Sequence, residues 1–462
     1  MSKEQFSGTL CVREGTVVTP EGMKKADIYI EDGAIVSVGG APRKCDREYD
    51  ASGCLVMPGF IDAHTHFLPG GKNSLSADDF VSGTQAALAG GDTTIIDFAE
   101  QEKGGTLSDG LKLWHEAAAG RCACDYGFHM TVTDWNGKTR SEISEMVSAG
   151  VTSFKAYMAN DKYRISDSDI NELFSEAGRL GCLTGIHCEL GDEAASRSQF
   201  FVSSGKGAPE YHPLSRPNWV EAAAVHRAVS MAFDSGAYIW IVHLSTAEGL
   251  REVGVARSFG AKVLLETCPQ YLTLTEDVFS SSDAPNYICC PPMRTDRDAN
   301  MLWDSIHRGL VDLVSSDHCS YTTEAKNKNA GDFTKIPNGL PVVQERAALM
   351  WALGVNDGIL TVPEFSDLMS ARAAKAFGLW PKKGVIAPGS DGDLVVWDTR
   401  QRWTISADSM LSRAGWTPWE GVSCTGRAKA VFLRGALAAE EGKILVPDGG
   451  EYLKRNLPQI TP

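Results

Sequence analysis

Eight short apolar runs, each of strand length and most followed by a segment of helical composition, constrain this chain more than any other feature. They cover residues 60–66, 93–98, 126–132, 153–158, 183–189, 239–245, 262–268 and 311–317. Between them, residues 77–89, 167–179, 219–235 and 246–258 read as helices, and 341–353 and 363–377 complete the series. Strands that are apolar along their whole length need cover on both faces, which is the condition of a parallel sheet. Eight of them with helical crossovers predict an α/β fold, a closed (β/α)8 TIM-like barrel. The two ends of the chain have a different texture. Short β-type runs at 8–12, 16–18, 26–30 and 34–38 are separated by turns such as Glu31-Asp32-Gly33, and similar runs return at 394–397, 430–433 and 443–446. The expected organisation is a small β-sandwich domain built from both chain ends (1–53 with 384–447), a barrel over 54–383, and a tail over 448–462.

Composition narrows the function. The formal net charge of −15 lacks the basic footprint needed to displace counterions from nucleic acid, and it equally disfavours an anionic membrane surface. The 12 cysteines are scattered and no CxxC pair occurs, which removes zinc-ribbon and thioredoxin readings. Free buried thiols suit a reducing compartment. The opening MSKEQFSGTLCVREGTVV carries no apolar h-region, and the expectation is a cytoplasmic protein.

The reactive residues fall at one kind of place. His64 and His66 close the first barrel run, Lys155 lies in the fourth, His187 and His243 stand near the ends of the fifth and sixth, and Asp317 ends the eighth. Strand C-termini in such a barrel open into one mouth. Residues two apart on a strand point the same way, so His64 and His66 share a direction. Imidazole and carboxylate are ligands for zinc and similar divalent ions. Taken singly, each residue has a plainer reading: a hydrogen-bonded core histidine, a turn-capping aspartate, a lysine whose head snorkels to water. Joint occurrence favours ligation, since four of the 10 histidines sit where one mouth needs them. Lys155 is the odd member, because an ammonium has no lone pair to offer a cation. Burial favours loss of its proton, and a neutral amine can take up carbon dioxide as a carbamate with two anionic oxygens.

At these residues the chain resembles the amidohydrolase superfamily, and within it the dihydropyrimidinase/hydantoinase branch. The matching stretches include MPGFIDAHTHF, ADDFVSGTQAALAGGDTTIIDFA, TSFKAYM, GIHCE, YHPLSRP, VHLS, ETCPQYL, CCPPMR, SSDHCSY, FTKIPNGLP and FGLWPKKGVIAPGSDGDLVVWD. They span most of the chain. The resemblance implies a hydrolase that opens a cyclic amide at a two-metal centre. His64 and His66, joined by Asp317, hold one ion. His187 and His243 hold the second. Lys155, as N6-carboxylysine, bridges both. A hydroxide shared by two divalent ions, zinc being the first expectation, is the nucleophile, and Asp317 carries its proton to the leaving nitrogen. Backbone groups at Cys290 and Asn338 hold the ring, and the assembly is a homotetramer.

One departure bears on mechanism. The family has a tyrosine five residues after the bridging lysine, donating to the oxyanion, whereas this chain has Asn160. An amide N–H is an alternative donor, as are the hydroxyls of Tyr157 and Tyr163. The substrate expected is a neutral ring, a dihydropyrimidine or a 5-substituted hydantoin. Phe67 and Leu68 follow His66 where relatives that bind acidic rings carry an arginine, so a substrate carboxylate has no partner there. Phe67, Leu68 and Tyr157 are expected to line the pocket for the exocyclic substituent. The alternatives are an allantoinase-like or other amidohydrolase acting on a different ureide, and a non-catalytic scaffold of the same fold, which retention of all six ligand residues disfavours.

Overall fold

The computed structural model describes residues 8–67 and 76–460. Seven short strands come first: β1 (Thr9–Arg13), β2 (Thr16–Thr19), β3 (Gly22–Lys25), β4 (Ile28–Glu31), β5 (Ala34–Val38), β6 (Arg47–Asp50) and β7 (Leu55–Pro58). The next eight are β8 (Phe60–Thr65), β9 (Asp92–Glu100), β10 (Asp125–Thr131), β11 (Ser153–Tyr157), β12 (Leu183–His187), β13 (Ile239–Ile241), β14 (Val263–Thr267) and β15 (Leu313–Val314). Strands β8 to β15 neighbour one another in chain order, and their pairings are parallel. A parallel bridge between Thr65 and His318 brings the last strand back to the first, and the His66 N–H donates to the His318 carbonyl at 2.8 Å. The eight expected runs are thus the eight staves of a TIM-type barrel.

Helices pack outside it where local chemistry starts and stops them. The helix Asp167–Arg179 begins at a Ser166/Asp169 capping box. The helix expected from residue 77 runs over Phe80–Gly90 instead, because the Asp79 side chain caps it by accepting from the Val81 and Ser82 N–H groups. Gly91, left-handed at φ 109°, ends it. Two expected strands fall well short of their apolar runs: β13 stops at Ile241 and β15 covers only Leu313–Val314. His243 and Asp317 therefore sit in the turns beyond, with φ of 38° and 51°. Such left-handed backbone is uncommon for residues with a Cβ and collects at functional sites. No helix among the described residues is long and apolar enough to cross a membrane.

The last strands, β16 (Leu394–Thr404), β17 (Ser423–Leu433), β18 (Ala436–Glu440) and β19 (Lys443–Ile444), join the first ones. They form a seven-stranded sheet ordered β19-β18-β17-β16-β7-β2-β3, beside a four-stranded sheet ordered β5-β4-β1-β6. Leu10, Val12 and Ile30 of the smaller sheet pack with Val17, Val56, Leu394 and Val396 of the larger, which gives a sandwich made from both chain ends. A buried charge cluster stitches it to the barrel. Lys383 Nζ lies 2.6 Å from Asp125 and Asp393 and 2.9 Å from Asp391, and Arg434 also reaches Asp125. The three aspartates lie close enough to suggest a cation site, but the Lys383 ammonium already fills that role.

A second buried acid gives a pH test of the fold. Glu345 is 3% exposed and accepts the Thr417 hydroxyl at 2.7 Å. Burial pushes its carboxyl up to about 7, above the value near 4.3 for a free chain. The native protein then binds more protons than the unfolded chain between these values, so this group's stability contribution falls as pH rises from about 4.3 through about 7. Glu345→Gln removes the ionisable group. Thermal unfolding is expected to show a more stable variant at pH 8, by at most about 4 kcal/mol at roughly 1.4 kcal/mol per pH unit, and a much smaller gain at pH 5. Equal effects at both pH values would discard this account.

Candidate active site

The barrel mouth holds a cleft of about 540 Å³. Its inner wall carries His64, His66, His187, His243 and Asp317. The Nε2 atoms of His64 and His66 lie 3.1 and 3.4 Å from the same Asp317 oxygen, so these three side chains converge as one ligand-like group. His187 Nδ1 and His243 Nε2 face each other at 3.0 Å. The rings of His64 and His243 are 5.6 Å apart, which brings the two groups together in one site.

Two buried glutamates decide which imidazole nitrogens are free. Glu266 accepts from His64 Nδ1 at 2.7 Å and Glu189 accepts from His187 Nε2 at 2.8 Å. Each bond holds a ring proton on the outer nitrogen and turns His64 Nε2 and His187 Nδ1 toward the cleft. Carboxylates behind histidines in this way are the usual support of a metal site. Lys155 Nζ, on β11, is fully buried and has no hydrogen-bond partner among the described residues. Burial pulls the amine down to about 8, against the attraction of Glu266 and Asp317. Ring nitrogens aimed at a common space, an acidic oxygen between two of them and an orphaned buried amine fit a cation-binding centre. A fully desolvated amine with no hydrogen-bond partner among the described residues has little else to explain it.

Electrostatics follow the same geometry. Burial lowers the His64 imidazole, but Glu266 and Asp317 outweigh it and raise the ring to about 9. Burial raises Asp317, and the His64 and His66 rings overcome it and hold the carboxyl well below its ordinary range. His187 is lowered by burial with Glu189 opposing. His243 is driven well below its ordinary value by burial and then by the neighbouring His187.

The outer wall contains several other expected residues. Cys290 is half-buried, with Sγ 3.1 Å from the Asn338 side-chain oxygen, so these two distant segments meet at the cleft. The Tyr157 ring stacks on His187 at 5.3 Å and on Tyr163 at 5.1 Å, and its hydroxyl meets no hydrogen-bond partner among the described residues. The Tyr163 hydroxyl donates to the Glu100 carboxylate at 3.1 Å. Asn160 lines the cleft but is left-handed at φ 72°, and its side-chain oxygen accepts the Lys162 N–H at 3.2 Å. That is a turn-making role suited to asparagine.

Phe67 corrects an expectation. It is fully buried away from the cleft, edge-on to His318 and Phe80, and its N–H donates to Asp97 at 2.7 Å. The ring is seated against Gly83, where a Cβ would come within 2.4 Å of it. The tight packing beneath the first helix claims the side chain before the pocket can. Leu68 lies outside the described residues. Sequence reasoning also missed Glu189, Glu266 and Arg216, which pairs with Glu189 at 2.7 Å. The available signal was Glu189 two residues after His187, and Glu266 at the end of an otherwise apolar strand.

The comparisons with known proteins agree with this geometry. The model of the family described as "Amidohydrolase family" matches residues 55–438. A D-hydantoinase of Ralstonia pickettii is 40% identical over 454 residues, covering 96% of this chain and 98% of that protein. A solved D-hydantoinase structure superposes with a TM-score of 0.95 at 39% identity, over 97% of this chain and 99% of the other. The dihydropyrimidinase from Brevibacillus agri NCHU1002 gives 0.95 at 34% identity, over 98% and 100%. With a family match across most of its length and relatives this similar end to end, the chain belongs to the amidohydrolase family.

Proposed function

We propose that this protein hydrolyses the ring amide of a neutral cyclic substrate, a dihydropyrimidine or a 5-substituted hydantoin, at a pair of divalent cations. The observation that carries the proposal is the convergence of His64, His66, Lys155, His187, His243 and Asp317 on one barrel mouth. His64, His66 and Asp317 would hold one ion and His187 and His243 the other, zinc being the expected metal for such ligands. Lys155 adds carbon dioxide through its neutral amine, losing a proton as the N–C bond forms, and the resulting carbamate would help hold the two cations. Cations held there supply Lewis acidity toward the amide carbonyl and lower the pKa of a water.

The remaining chemistry belongs to the chain. Asp317 takes a proton from the attacking water and gives it to the ring nitrogen, which must be protonated to leave. Glu189 and Glu266 fix the tautomers of His187 and His64. Backbone groups of Cys290 and Asn338 orient the ring. The Tyr157 hydroxyl, which has no hydrogen-bond partner among the described residues, donates to the carbonyl oxygen as charge develops on it. A neutral substrate is favoured because the guanidinium of Arg216 in the cleft wall is already paired with Glu189.

The reading is tested by following ring opening of dihydrouracil, hydantoin, dihydroorotate and allantoin before and after removal of metal by a chelator. Turnover of the first two that is lost with the metal and restored by zinc or manganese supports it. Exclusive turnover of dihydroorotate or allantoin overturns the substrate assignment. Tyr157→Phe is expected to lower kcat by roughly 10²–10³, as for loss of one oxyanion donor, with metal content unchanged. Steady-state kinetics with metal analysis check it, and a wild-type kcat would remove the role.

A further inference from the structure

The cleft wall opposite the histidines is the segment from Ile288 to Pro291, and most of its backbone acceptors are tied back into the protein. The Ile288 carbonyl accepts the Gly339 N–H at 3.0 Å and the Lys326 ammonium at 2.6 Å. The Cys289 carbonyl lies 2.8 Å from His212 Nε2, and the Pro291 carbonyl accepts the Tyr271 hydroxyl at 2.9 Å. Among the described residues only the Cys290 carbonyl in this segment has no such partner, and Cys290 lines the cleft. The Ile288 oxygen is also a junction. Through Gly339 it joins the backbone of the Cys290 segment to that of the Asn338 segment, beside the side-chain contact of Cys290 Sγ with Asn338.

Lys326 is an unusual choice to hold that junction. It is fully buried and meets no carboxylate among the described residues; the face of the Tyr321 ring lies 5.6 Å from its Nζ. Desolvating an ammonium without a counter-ion is costly, and methionine would fill the same volume without that cost. The amine therefore has value as a donor rather than as packing. We propose that Lys326 is a positioning residue for ring binding, fixing the Ile288 carbonyl so that the Cys290 and Asn338 segments grip one cyclic amide between them. The proposal rests on the ring-amide reading above.

The test compares Lys326→Met and Lys326→Gln with the wild-type protein, using dihydrouracil and hydantoin as substrates. For Lys326→Met the expected result is a KM raised tenfold or more, kcat within about threefold, and unchanged metal content. Hydrogen exchange should quicken only in peptides covering 287–292 and 336–340. Lys326→Gln keeps an N–H donor and is expected to fall between the two, and it is read by the same measures if the methionine variant does not fold. An unchanged KM with unchanged exchange overturns the proposal. So does a joint loss of kcat, metal and thermal stability, which would make Lys326 a general structural residue. If the wild-type protein opens neither ring, the functional reading fails first, and the exchange data still judge the Lys326 contact on their own.

Discussion

Lys155→Ala is expected to leave the protein with little bound metal and with kcat/KM lowered on the order of 10⁴, the scale seen when a member of an interdependent catalytic group is removed. The reason is local. Nζ is buried with no hydrogen-bond partner among the described residues, so the side chain does not hold up the barrel through a specific contact, and the variant should fold. What it loses is the anion that two cations would share. Alanine leaves a space at the base of the cleft bounded by Phe98 and Tyr157, whose rings lie 5.3 and 5.0 Å from Nζ. A short carboxylate such as acetate or propionate, added in excess with zinc, is expected to enter that space and recover part of the activity. Metal analysis and kinetics with and without the carboxylate check both statements. Full metal occupancy and wild-type turnover in Lys155→Ala would end the bridging assignment.

Asp317→Asn separates metal binding from proton transfer. The amide keeps an oxygen where His64 and His66 converge at 3.1 and 3.4 Å, so at least the ion held by His187 and His243 should remain and much of the other. It cannot accept the proton that must reach the ring nitrogen. The expected loss in kcat is on the order of 10³, within the range for a positioned general base, with KM changed much less. A variant with near-native kcat would show that another group moves the proton. Asp317 is held well below its ordinary range by His64 and His66, so the carboxylate is ionised through the neutral range.

The barrel was legible because its strands are apolar on both faces and end in polar residues, a pattern few folds share. Five of the ligand candidates were legible for the same reason, since His64, His66, His187, His243 and Asp317 fall near the ends of apolar runs; Lys155 lies in the middle of its strand. Other features had no signature in one dimension. Phe67 follows two histidines and read as a pocket residue, yet its ring found a slot against Gly83 that only the packed structure creates. Asn160 read as a replacement donor, and the structure uses its oxygen to close a turn on Lys162. Glu189 and Glu266 lay in plain view within GIHCE and ETCPQYL, but a glutamate in an apolar run says only that it must find a partner; which partner is decided by neighbouring strands. His243 and Asp317 were expected on strands and lie just beyond their ends with left-handed backbone.

The central claim is that six side chains hold two cations around a modified lysine. Anomalous diffraction from crystals of the zinc-loaded protein, collected on both sides of the zinc edge, tests it most directly. The account predicts two peaks, one beside His64, His66 and Asp317 and one beside His187 and His243, with branched density continuing past Lys155 Nζ between them. A single peak elsewhere, or two peaks flanking a lysine that ends at Nζ, would contradict it.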